Sequence, residues 1–177
     1  MKILMISFLE GKLAEKHPTY FVIEVGGIGF FLQIPLSSYD SAQEVGASLK
    51  ILTHLHVRED IMALYGFMTE SERDLFKMLI LVSGIGPPMA LKILSGTSIA
   101  DFKRLISGED VRGLTQIKGI GQKIAQRLIL ELRDRINTIS SREIKGDLET
   151  EKINRLDEAS AALTGMGANP LQARKVI

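Results

Sequence analysis

The chain has 177 residues, 45% hydrophobic and 24% charged, a balance that suits a soluble globular protein and excludes wholesale disorder. It contains no Cys, which excludes disulfides, thiolate zinc sites and cysteine nucleophiles together. Its net charge of +1 divides unevenly, with 5 Lys/Arg against 7 Asp/Glu over residues 1–68, 11 against 8 over 69–137 and 6 against 6 over 138–177, so a polyanionic partner belongs to the middle third.

The opening run Met1–Leu9 is followed at once by Glu10 and Lys12, too soon for a signal peptide. No later segment offers about 18 uninterrupted apolar residues, so a cytoplasmic protein with no membrane contact is expected. Tyr20–Val25 and Phe30–Ile34 are β-branched and aromatic runs around Gly26-Gly27-Ile28-Gly29, a turn that wants positive φ. Leu49–Val57 alternates as a half-buried strand should, with Lys50, Thr53 and His54 or His56 on its wetter side. Ile61–Tyr65 reads as a last short strand, reached through the turn Arg58-Glu59-Asp60. About five short strands with one helical link near Leu36–Ala42 predict a small closed barrel, and the OB-fold is the common five-stranded solution.

After Gly66 the period changes from two to 3.6. Glu70, Arg73, Asp74 and Lys77 interleave with Leu75, Phe76, Leu79 and Ile80 at helical spacing, with Thr69 or Ser71 as N-cap. From there to Ile139 the pattern is helix, glycine turn, helix, repeated. The Ser-, Lys- and Glu-rich stretch that follows has no apolar face and reads as a linker. Beyond it, Glu151–Leu163 forms a short amphipathic helix, Gly165-Met166-Gly167 stops it, and Asn169-Pro170 opens another that ends after about two turns.

The repeat carries the functional argument. Laying Val82–Leu94 over Ile117–Ile129 aligns Gly84-Ile85-Gly86 with Gly119-Ile120-Gly121, offset by 35 residues, and puts Ala90 on Ala125 and Lys92 on Arg127. Such glycines take conformations closed to residues with a Cβ, and the backbone N–H groups at the start of the following helix point outward. A phosphate oxygen suits that partially positive helix start. Ile85 and Ile120 are expected to plug each turn into its own core, while alanine at the fourth position after the second glycine lets paired helices approach. A dinucleotide-binding loop is a poor reading, because both copies follow helices and lack the third glycine of G-x-G-x-x-G. Contacts of this kind ignore base identity.

The residues Val57-Arg58-Glu59-Asp60, Leu64-Tyr65-Gly66-Phe67, Glu72-Arg73, Leu75-Phe76 and Val82-Ser83-Gly84-Ile85-Gly86-Pro87 resemble the RuvA family, the DNA-binding subunits of the bacterial Holliday-junction branch-migration machine. Gly119-Ile120-Gly121 running into Arg127-Leu128-Ile129 and Glu131-Leu132 continues the resemblance, which covers nearly the whole chain in family order. It implies a multi-domain α+β protein. An OB-fold barrel would occupy 1–66, a tandem helix-hairpin-helix domain 67–139, a linker 140–151 and a small helical domain 152–177. It further implies a homotetramer, or two face to face, lying flat on four-way junction DNA. The small domain would dock a hexameric RuvB-type ATPase, with a RuvC-type resolvase as a further partner. The chain itself would be non-catalytic, with no cofactor and no metal. Glu59 and Asp60 would form the family's acidic pin, which four-fold symmetry would gather at the crossover; taken alone they read as an exposed turn.

The chain departs from the family pattern at Pro88 and Gln122, where basic residues are common, so Lys92, Lys118, Lys123 and Arg127 are expected to supply the side-chain electrostatics. Pro87-Pro88 is tolerable in a first helical turn but removes N–H groups. The small helical domain stops during the second of the family's three helices, so either residues are missing or motor docking is impaired. Two rival classes remain: a hairpin-containing glycosylase or nuclease, and a duplex-binding adaptor. The first lacks HExxH, GxSxG and a P-loop lysine, and His54 and His56, which share a strand face, have no third metal ligand nearby in sequence.

Overall fold

The structure, a computed structural model, describes residues 6–139. The expected linker at 140–151 and helical domain at 152–177 lie outside the described residues. Five strands, β1 (Phe8–His17), β2 (Tyr20–Val25), β3 (Ile28–Gln33), β4 (Ser48–Val57) and β5 (Met62–Phe67), close a barrel in the order β1-β2-β3-β5-β4. Every pairing is antiparallel except β3 with β5, where Gln33 pairs with Tyr65 in parallel. Alternate residues face inward: Leu9 and Leu13 from β1, Phe21 and Ile23 from β2, Leu49 and Ile51 from β4.

Four sequence expectations are corrected in detail. β1 was not foreseen as a strand. Its inward set is only Leu9 and Leu13, and a register shift between Leu13 and Glu15 spoils the alternation behind them. The turn between β2 and β3 is Gly26-Gly27 alone, both at positive φ (59° and 85°), so Ile28 and Gly29 already belong to β3. β5 runs Met62–Phe67 rather than 61–65, because Phe67 still pairs with Leu52 of β4 and its buried ring packs on Phe76. Thr53 is not on a wet position: it is fully buried, and its hydroxyl donates to the Ile6 carbonyl at 2.8 Å. A buried hydroxyl with an acceptor fits a core without penalty.

A short helix α1 (Leu36–Ser41) links β3 to β4, and α2 (Glu70–Leu79) begins two residues after β5. Thr69 caps α2 with a complete capping box: its side chain accepts from the Glu72 N–H, and the Glu72 carboxylate accepts from the Thr69 N–H. Phe76 of α2 packs on the outward face of β5, with ring centroids 4.9 Å from Tyr65 and 4.9 Å from Phe67.

The buried Glu72 also accepts from the hydroxyls of Ser37 and Ser38, and from the N–H of Met68 at 3.1 Å. One carboxylate therefore ties α1, the end of β5 and the start of α2 together. The Leu36 N–H adds a second tie, donating to Ser95 Oγ of the next helix at 2.9 Å. Barrel and helices are thus held in a set orientation within one compact unit. The remaining helices are α3 (Pro87–Gly96), α4 (Ile99–Ser107), α5 (Val111–Thr115) and α6 over residues 122–139. Among the described residues no helix is long and apolar enough to cross a membrane.

Candidate nucleic-acid interface

The two Gly-Ile-Gly turns have the same local geometry. Gly84 (φ 90°) and Gly119 (φ 99°) occupy equivalent positive-φ positions. In each turn the isoleucine N–H donates backward, Ile85 to the Val82 carbonyl and Ile120 to the Ile117 carbonyl, both at 3.0 Å. Ile85 and Ile120 are buried, as plugs should be, and so are Ala90 and Ala125, which sit at 0% exposure. Each alanine N–H donates to the carbonyl of the last glycine of its own turn, Ala90 to Gly86 at 3.0 Å and Ala125 to Gly121 at 2.9 Å. Those bonds make each glycine the first acceptor of its helix. The 35-residue repeat is therefore a structural repeat.

The four glycines of these turns are exposed. Among the described residues, the amides of Gly84, Gly86, Gly119 and Gly121 donate to no protein acceptor in the turns. Gln122 and Lys123 are exposed in the first turn of α6, where N–H groups have no intrahelical acceptor. In the first hairpin the same positions are Pro87 and Pro88, at N1 and N2 of α3, which carry no N–H. The two starts are alike in shape and unequal in donors.

Of the predicted cations, Lys92, Lys118 and Lys123 are exposed. Among the described residues they have no ion-pair partner. Arg127 sits differently: its Nη1 donates to the Ser83 carbonyl at 2.9 Å, and its Nε lies 3.9 Å from Glu131. It braces the second hairpin's helix against the turn of the first. Met89 makes the reciprocal contact, its Sδ standing 3.1 Å from where a Cβ on Gly119 would be. Neither contact was foreseen; Ser83 acts through its main chain and Met89 looks like any apolar helix residue, so only the structure exposes them.

Glu59 and Asp60 lie at the exposed connection between β4 and β5, closed by a 2.8 Å bond from the Arg58 N–H to the Ile61 carbonyl. Among the described residues neither carboxylate is in an ion pair. Exposed Val57, Ile61 and Met62 flank them.

His54 and His56 share a face of β4 with ring centroids 6.3 Å apart. Among the described residues no group of three or more His, Cys, Asp or Glu side chains is placed to hold a metal ion. Burial against Phe76, then Lys77, His56 and Arg73, holds His54 down to about 4. His56 is also lowered, by burial and then by Arg58, whose Nε donates to His56 Nε2 at 3.1 Å. Both rings lie on the outward face of β4, His54 against Phe76 of α2.

Two family models match the chain: the RuvA N-terminal domain over residues 5–66 and a SAM-like helix-hairpin-helix tandem over residues 76–134. Among curated proteins, a Holliday junction branch migration complex subunit RuvA of Xanthomonas euvesicatoria pv. vesicatoria is 43% identical over 173 residues, covering 97% of this chain and 88% of that protein. The protein of the same description from Solibacter usitatus is 39% identical over 174 residues, covering 98% and 88%.

Proposed function

The chain belongs to the RuvA family, and on that premise we propose that it recognises four-way junction DNA through backbone phosphates, without reading sequence. The observation that carries this reading is the pair of exposed glycine-cornered helix starts with unengaged main-chain donors. Phosphate is a good ligand for such donors, and a contact to phosphate is blind to the base attached. The relatives are named as subunits of a branch migration complex, which supports a non-catalytic role here. ATP hydrolysis then belongs to a RuvB-type hexameric motor bound through the C-terminal segment, with a RuvC-type resolvase as a further partner.

In this reading the chain works in the cytoplasm as a homotetramer, alone or as two facing tetramers, with each hairpin pair gripping one duplex arm. Gly84, Ile85, Gly86, Gly119, Ile120 and Gly121 form the grip. Lys92, Lys118 and Lys123 add sequence-independent charge, and Arg127 contributes chiefly by holding the two hairpins together. Glu59 and Asp60 stand as the pin. Exposed carboxylates attract or repel by only about 1 kcal/mol or less each in water, so the pin steers strands and rejects wrong substrates rather than supplying affinity.

One gel-shift series tests the proposal, comparing four-way DNA with linear duplex of the same sequence and including a Mg²⁺ incubation. The expected result is a strong preference for the junction and no cleavage. Equal affinity for both substrates overturns it in favour of a duplex adaptor, and cleavage products overturn it in favour of a nuclease.

A further inference from the structure

A cleft of about 660 Å³ lies between the barrel and the first hairpin, lined by Thr19, Gln33, Leu36, Leu91, Lys92 and Lys118 among others. It is continuous with the glycine turns: Lys118 immediately precedes Gly119, and Pro88, also in the lining, is the second residue of α3. Its walls are mostly apolar, yet three polar side chains meet there without partners. Among the described residues neither Lys92, Lys118 nor the Gln33 amide makes a hydrogen bond or ion pair. One of the ties that join the two halves belongs to the cleft's lining, where the Leu36 N–H donates to Ser95 Oγ.

Two unpaired lysines on one cleft favour an anion, and its mostly apolar lining favours a ligand that has apolar parts as well as charged ones. The sugar–phosphate backbone of DNA has that alternation. We infer that this cleft receives the strand leaving the hairpins, with Lys92 and Lys118 on successive phosphates, deoxyribose against Leu36 and Leu91, and the Gln33 amide donating to a phosphate oxygen. The barrel is then a wall of the DNA site and not only the carrier of the pin. This inference rests on the proposed function, since it extends the same bound DNA onto a second surface.

The test uses the full chain and synthetic four-way DNA across a KCl series. Gln33→Glu keeps the side chain's size and places a carboxylate in the cleft; Val45→Glu, exposed on the barrel outside the cleft, is the control. The expected result is a roughly tenfold loss of junction affinity for Gln33→Glu and none for Val45→Glu. The double variant Lys92→Gln/Lys118→Gln should shallow the log–log salt slope by about 1.8, at about 0.9 per phosphate contact. Parent-like binding by Gln33→Glu, alongside weakened binding by Lys123→Gln, overturns the cleft assignment and leaves the hairpin reading standing. Parent-like binding by both overturns the two together. A change in sedimenting mass of DNA-free Gln33→Glu assigns the cleft to a second copy of the chain and also overturns the inference.

Discussion

Two residues show how much rides on single backbone or ring environments. Gly119 has φ of 99°, and a Cβ there would also stand 3.1 Å from Met89 Sδ. Gly119→Ala therefore strains the turn by about 1–3 kcal/mol and tilts the donors beside it. Urea melts should show that loss, and junction affinity should fall with it; full binding at reduced stability would separate the turn from the site. His54 makes a pH prediction. Its ring is held at about 4 in the fold against an ordinary 6.5, so the unfolded chain takes up a proton first as pH falls. Stability from this group is intact above 6.5, declines through the window between the two values and stops declining below about 4. After allowing for solvent around a half-buried ring, the loss is on the order of 1–2 kcal/mol. Between pH 7 and pH 4.5, the Tm of the parent should drop further than that of His54→Gln. Equal drops would remove His54 from the account.

At the scale of elements, the joint built on Glu72 is the strongest feature. Glu72→Ala leaves the hydroxyls of Ser37 and Ser38 and the N–H groups of Met68 and Thr69 without their acceptor, a cost of about 2–4 kcal/mol. The urea midpoint should fall with the m-value unchanged, whereas a lowered m-value would mean that barrel and helices part before either unfolds. The same scale shows what could be read beforehand. The repeat was legible because a glycine turn, its plug and its alanine are local requirements with fixed spacing, each a visible residue type. The helix cap at Thr69 was legible for the same reason, though Ser71 competed until Glu72 was seen to return the bond. β1 was hidden because two inward leucines among Glu10, Lys12, Glu15 and Lys16 make too thin a pattern, and because its bulge breaks the period. The Thr53 placement failed because a hydroxyl's burial depends on a distant carbonyl, here that of Ile6. Arg127, a residue expected to seek phosphate, also holds the Ser83 carbonyl, a partner 44 residues away that sequence spacing does not reveal.

At the scale of the molecule, the acids between β4 and β5 and the two hairpins belong to one compact unit, and on the proposed function those acids bear on substrate choice. Glu59→Gln/Asp60→Asn removes two unpaired carboxylates from an exposed tip, where neither supports the fold. Linear duplex should then bind more tightly at low salt, reducing the junction-over-duplex ratio by about two- to tenfold, and added KCl should erase the change. An unaltered ratio at low salt would leave the pin with no part in discrimination. A peptide N–H belongs to no particular amino acid, and proline is the one encoded residue that lacks it. It stands twice at the helix start of the first hairpin and nowhere in Gln122-Lys123 at the second. The two starts are therefore unequally supplied with donors, and chemical synthesis with an ester in place of the amide at Gln122 should injure junction binding more than any single side-chain change beside it.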